Sequence, residues 1–194
     1  MDTWLKKCIC FLFMSAYIAA CSSSQYHNED EIIVNDLNNQ QVHLNLSDDV
    51  NLNVFFFLSP ECPFCINYTK TISEIINNKS YSDISFHAVY PGTYYSNEEI
   101  RQFHKDYNFV IDVLIDPEMS LTHRLEATVT PQVIIVDHSG KTVYTGAIDN
   151  WAVDTGVKRQ VISEHYLSDA LQSAIIGKTP KISKTKPVGC YIEL

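Results

Sequence analysis

Two cysteines, Cys62 and Cys65, stand with two residues between them in Leu58-Ser59-Pro60-Glu61-Cys62-Pro63-Phe64-Cys65. Residues three apart at the start of a helix share a face, so sulfurs at this spacing can close a small, reducible ring. The first of them sits where unpaired backbone N–H groups and the helix dipole favour an anion, which lowers its pKa. Pro63 suits the first helical turn because it has no N–H to leave unsatisfied. This reading makes Cys62 the exposed, attacking thiolate and Cys65, one turn deeper, the resolving thiol.

The elements that must position the pair follow from patterning. Val54-Phe55-Phe56-Phe57-Leu58 is apolar without alternation, as suits a strand covered on both faces. Residues 66–76 read as a helix with Cys65, Thr69, Ile72 and Ile76 along one face. Residues 32–34 and 42–46 form a hairpin around a turn at 35–39, and residues 84–90 form a strand stopped by Pro91-Gly92. Ser96 caps a helix through Lys105, and Glu99 completes a capping box. A strand at 110–115 and a short helix from Asp116-Pro117 through Leu125 come next. Thr130-Pro131 precedes a strand at 132–137, which turns at His138-Ser139-Gly140-Lys141 into another at 142–146. A last helix carries Leu167, Leu171, Ala174 and Ile175 on one side and stops at Gly177. Residues 178–194 are a Lys- and Pro-containing tail that holds Cys190.

Bulk properties narrow the function. The chain has 194 residues, enough for one domain with a real core, and a formal net charge of −9. That acidity gives no support for nucleic-acid binding, which needs a basic patch. Lys6-Lys7 and an apolar stretch after them have the proportions of a signal peptide spanning residues 1–20, too short for a membrane-spanning helix. Ile18-Ala19-Ala20-Cys21 resembles a bacterial lipobox, in which the cysteine becomes the acylated N-terminus; an ordinary secretory signal cut at the same small residues is the alternative. Residues 21–31 are polar and read as a tether. Of the six cysteines, an acylated and processed chain would keep Cys62, Cys65 and Cys190 as thiols, too few for a structural disulfide framework.

The order of elements, from Ile32 to Gly177, resembles the thioredoxin fold: an α/β domain (32–177) with a central mixed sheet flanked by helices. Cys62-Pro63-Phe64-Cys65 and Thr130-Pro131 are its landmarks. More narrowly, the chain is similar to extracytoplasmic thioredoxin-like (redoxin) lipoproteins of bacteria, with an N-terminal β-hairpin and an inserted strand and helix between Tyr90 and Leu125. The resemblance implies a membrane-tethered thiol–disulfide oxidoreductase of the cell envelope, without a cofactor, exchanging disulfides with protein thiols and with an upstream redox partner. It implies a cis Pro131 facing the cysteine pair and a substrate site made of Thr130, Pro131, Pro63 and Phe64. Pro63-Phe64 places no cation beside Cys62, which points towards the reducing side of the fold's range.

Several departures are visible. Where thioredoxin buries an aspartate six residues before its first cysteine, this chain has Phe56. Where some relatives place a glutamate three residues after the second cysteine, it has Tyr68, so the base for Cys65 is not identified. Glu61 reads as a solvated loop charge, and Glu98 and Glu99 as helix-cap charges. Peroxiredoxins need a threonine and a proline where Ser59 and Phe55 stand, and covalent haem needs a histidine where Ile66 stands. One Cys-x-x-Cys supplies two metal ligands, and a closed site wants four; copper or other metal handling, or a redox-inactive binding module, is the rival reading. Cys190 is either a small buried apolar residue or a third redox thiol docked near the pair.

Overall fold

The computed structural model describes residues 31–47 and 52–193. The signal peptide, Cys21 and all of the tether but Glu31 lie outside the described residues. The N-terminal hairpin is β1 (Glu31–Asn35) and β2 (Gln41–Asn45). Then come β3 (Leu52–Phe57), α1 (Pro63–Ile76), β4 (Ile84–Pro91), α2 (Asn97–Asp106), β5 (Asp112–Asp116) and α3 (Ser120–Arg124). The second half holds β6 (Val129–Thr130), β7 (Gln132–Asp137), β8 (Thr142–Gly146), β9 (Ala152–Asp154), β10 (Val157–Lys158), α4 (Tyr166–Ile175) and β11 (Cys190–Tyr191).

Seven strands form one mixed sheet in the order β2-β1-β5-β4-β3-β7-β8. The strand β3 lies at its heart, parallel to β4 and antiparallel to β7. Both faces of β3 are covered, which is why its sequence does not alternate. Val54, Phe56 and Leu58 point to the face carrying α1, α2 and α4, while Phe55 and Phe57 point to the face carrying α3. Burying each phenylalanine contributes about 1.5–3 kcal/mol relative to leaving it exposed. The inserted strand β5 extends the sheet beyond β4 and meets the N-terminal hairpin through Asn35 and Ile115.

The capping box at α2 forms as the sequence dictates: Ser96 accepts from the Glu99 backbone N–H, and Glu99 accepts from the Ser96 N–H. The start of α3 is held differently. Asp116, fully buried, accepts from the backbone N–H groups of Leu121 and Thr122 and from the Thr122 hydroxyl. One expectation needs correction. Ile175 is exposed, and Ala170 joins Leu167 and Leu171 on the inner face of α4 instead, because a stripe at 167, 170, 171 and 174 is narrower than one that includes 175. The tail adds one further element to those read from the sequence, since its last residues form β11 against β6.

Removing the Asp116 carboxylate should leave two buried N–H groups and a buried hydroxyl without acceptors. Asp116→Ala is expected to lower unfolding stability by about 2 kcal/mol or more in urea titration. A change within the error of that titration would show that water replaces the carboxylate.

Candidate functional site

The junction between β3 and α1 brings the two cysteines to the end of the sheet. The strand pairing with β4 continues one residue past β3, through the Leu58 N–H to the Val89 carbonyl at 2.9 Å. The chain then turns at 59–61 and enters the helix with Cys62 as the N-cap in extended conformation and Pro63 in the first turn. Cys65 lies on the buried face of α1 with Tyr68, Thr69 and Ile72. The Ser59 N–H donates to its sulfur at 3.4 Å.

The electrostatics divide the pair. The Cys65 thiol hydrogen-bonds Cys62 and draws its pKa from an ordinary 9.0 down to about 5; burial opposes this, and Cys190 acts as a further donor. Cys65 goes the other way. Complete burial pushes its thiol well up, and the negative charge on Cys62 adds to the effect. Cys62 also lies 3.1 Å from the Thr130 carbonyl oxygen, a contact that a thiol can donate to and a thiolate cannot. Donors directed at it from Cys65 and Cys190 favour the charged form of the Cys62 sulfur and so lower its pKa.

Opposite the helix start, the Thr130–Pro131 peptide is cis. Gln132 fixes this loop from within: its side-chain oxygen accepts from the N–H groups of Thr128 and Val129, and its amide donates to Thr145. Pro63 is exposed beside the pair, whereas Phe64 is half-buried, edge-on to Trp151. Glu61 is exposed, as its reading as a solvated charge requires.

Cys62 is not exposed at the helix start as expected. Only 2% of its surface is accessible, because β11 lies over it. Cys190 pairs with Thr130 and Tyr191 with Val129 in antiparallel register, and the Cys190 sulfur stands 2.7 Å from that of Cys62. Cys62 thus touches both other thiols. Yet among the described residues no three His, Cys, Asp or Glu side chains are grouped as a metal ion would need. A cleft of about 390 Å³ opens beside the tail strand, between Leu58, Ser59, Tyr95, Thr130 and Cys190.

Sequence reasoning missed two features. Tyr68 donates to the buried carboxylate of Asp149 at 2.6 Å, and the second oxygen of Asp149 has no hydrogen-bond partner. The position lacking the glutamate of some relatives is therefore backed by a carboxylate from elsewhere in the chain. Behind Cys65, Tyr90 donates to Nε2 of His104, whose Nδ1 donates to the Phe109 carbonyl. Burial lowers the His104 pKa, in keeping with a neutral ring in that chain of bonds.

The profile of the thioredoxin-like domain family matches residues 39–154. Among curated proteins, none matches the sequence. A hypothetical protein of Sinorhizobium meliloti superposes with a TM-score of 0.71 at 18% identity, over 84% of this chain and 90% of its own. An uncharacterized conserved protein of Geobacillus kaustophilus also gives 0.71 at 18% identity, over 84% and 88%. A secreted Mycobacterium tuberculosis disulfide oxidoreductase homologous to E. coli DsbE gives 0.52 at 15% identity, over 75% and 95%. The similarity to these three is one of fold. Because the profile spans more than half of the sequence, and the sheet, helices and cysteine junction follow the same plan, the chain belongs to the thioredoxin-like domain family.

Proposed function

We propose that this protein is a thiol–disulfide oxidoreductase acting outside the cytoplasm, with Cys62 as the attacking thiolate, Cys65 as the resolving thiol and Cys21 as the lipid attachment point. The observation that carries the reading is the contrast within the pair. One sulfur is held as an anion at the helix start, and the other is buried and protonated one turn below. The secreted, DsbE-like oxidoreductase with the same fold adds support for the compartment and the chemistry. Among the described residues no helix is long and apolar enough to cross a membrane. Attachment at Cys21 would supply a membrane anchor through acyl chains.

The reaction is an exchange of sulfur bonds. The Cys62 thiolate attacks one sulfur of a substrate disulfide, and the other substrate sulfur leaves as a thiolate and takes a proton. The thiol of Cys65 then gives up its proton and attacks the Cys62 sulfur. The substrate's second sulfur leaves, and a Cys62–Cys65 disulfide remains. Two electrons pass from the pair to the substrate, and the same steps reversed oxidise a dithiol. The substrate segment lies along the edge of β6, where backbone groups of Val129 and Thr130 can pair with an extended strand, flanked by Pro131, Pro63 and Phe64.

The lowered Cys62 pKa bears on redox poise. No cation adjoins Cys62, yet the two thiol donors lower its pKa, and stabilising the thiolate stabilises the reduced pair. The reduction potential is therefore expected between about −270 mV, as in thioredoxin, and about −120 mV, as in DsbA. Equilibration with glutathione buffers measures it, and a value below that window would contradict the assignment of a held thiolate.

Two further outcomes test the roles. Labelling of Cys62 by iodoacetamide should rise as pH increases through about 5 and then stay level to pH 8, because the lowered pKa makes thiolate the form already present at neutrality. A midpoint near 9 would mean that the donors do not hold the anion. Cys65→Ser combined with Cys190→Ser, which leaves no second thiol against Cys62, should accumulate mixed disulfides through Cys62 in cells, and Cys62→Ser should accumulate none. If neither traps a partner and the wild type does not reduce insulin, the redox reading gives way to a binding module.

A further inference from the structure

The tail after α4 returns to the site by two fastenings. At the edge of β8, Thr145 donates its N–H to the Ser183 carbonyl, and Thr185 donates its N–H to the Thr145 carbonyl. The Thr185 hydroxyl pairs with the Tyr144 hydroxyl and accepts from the Ala147 N–H. Five residues later the chain meets β6. Cys190 and Tyr191 pair with Thr130 and Val129, and the Ile192 N–H donates to the Thr128 carbonyl at 2.9 Å. Ile192 packs on the cluster that contains Phe55 and Phe57.

This strand lies where an extended substrate segment would pair, and it presents a thiol to the attacking sulfur. We propose that Cys190 is a third redox thiol and that the tail is a tethered internal substrate, which forms a Cys62–Cys190 disulfide in exchange with the Cys62–Cys65 disulfide. The proposal rests on Cys62 being the exchanging thiol. In the oxidised protein the Cys190 thiol loses its proton and its sulfur attacks that of Cys62. The Cys62–Cys65 bond breaks, and Cys65 leaves as a thiolate that takes up a proton. One disulfide is consumed and one formed, so no outside oxidant or reductant is needed for this step. Attack by Cys65 on Cys62 reverses it and frees Cys190.

Three observations converge on this assignment. The sulfurs of Cys62 and Cys190 are 2.7 Å apart although the residues are 128 positions apart in sequence. A Cβ built on Gly189 would collide with the Thr130 carbonyl, so the residue before Cys190 must be glycine for the strand to lie this close. Tyr191 is 85% exposed, so the strand is held by its backbone, by Cys190 and by Ile192 rather than by that ring. The titration behaviour agrees. Burial pushes the Cys190 pKa up to about 12, and the hydrogen bond to Cys62 and its negative charge contribute the rest. A Cys62 already in a disulfide carries no charge, so two of these three causes vanish when Cys190 has to act.

The same geometry describes the external substrates that would compete. They are extended segments with glycine before the reactive cysteine, since any side chain there meets the Thr130 carbonyl.

The test uses the full chain. Wild type, Cys65→Ser and Cys65→Ser with Gly189→Ala are oxidised with glutathione disulfide, blocked with N-ethylmaleimide and peptide-mapped by mass spectrometry. In Cys65→Ser the main product should be the Cys62–Cys190 link, and adding Gly189→Ala should replace it with glutathione on Cys62. Wild type should show both Cys62–Cys65 and Cys62–Cys190 links. Glutathione on Cys62 together with maleimide on Cys190 in Cys65→Ser would overturn the proposal. A second measurement does not depend on oxidation: Gly189→Ala alone should raise the alkylation rate of reduced Cys62 by about tenfold or more, because the weakened cover is open a larger fraction of the time. An unchanged rate would overturn the docked tail. Insulin reduction by wild type and Cys190→Ser, run in parallel, separates the two readings. No turnover in either, with the Cys62–Cys190 link present, would sink the oxidoreductase function and leave the internal disulfide standing.

Discussion

The arrangement of this protein depends on where one negative charge is allowed to rest. The surroundings favour it on the Cys62 sulfur at the start of α1, whose pKa is lowered and where the unpaired N–H groups of a helix end face the site. Thiols donate to it from two directions, Cys65 from its own helix and Cys190 from the end of the chain. Each donor is held protonated by burial and by the charge it solvates. The three sulfurs therefore form a coupled set in which removing one donor weakens the others' reason for keeping their protons. No basic side chain is needed to lower the pKa. This fits a chain in which acidic residues outnumber basic ones.

The sheet supplies the rigidity that such a site needs. The strand β3 is bound on both sides by full-length ladders to β4 and β7, and its five apolar residues from Val54 to Leu58 are essentially without solvent contact. The cysteine turn emerges from this strand, and the cis peptide precedes β7, its immediate neighbour. The Cys62–Cys65 pair and the cis-peptide loop are thus fixed to adjacent strands of the best-packed part of the molecule. The looser parts lie elsewhere, in the β9–β10 hairpin with its exposed Val153 and Val157.

Much of this was legible in the residues. The apolar run, the Cys-x-x-Cys spacing and Ser96 with Glu99 each carry a local physical reason for the element found there, whereas the cis bond before Pro131 is implied by the family resemblance alone. What escaped is non-local. Tyr68 and Asp149 are 81 residues apart and meet only because α1 packs against the segment after β8. The strand β11 has two residues, too few for any periodicity, and its partner lies on the other side of a helix and two hairpins in the sequence. The same fact explains why Cys62 reads as exposed: the helix start is open in the local sequence, and its cover arrives from the last residues of the chain. Cys190 could be flagged as unusual from its position, but only the three-dimensional path of the tail separates a packing role from a chemical one.

The short span between the tail's fastening at Thr185 and its thiol at Cys190 has a kinetic meaning. Five residues reach at most about 17 Å when extended, so a released Cys190 cannot diffuse far from Cys62. Chains this short impose local concentrations of about the millimolar range. A free protein at micromolar concentration would then need to bind the strand site about a thousandfold better than the tail does to hold it half the time. On the proposed roles of Cys62 and Cys190, the tether would work as an affinity threshold. It would keep small diffusing thiols and weakly bound peptides from the Cys62 sulfur and admit a segment that makes the full set of backbone contacts with β6.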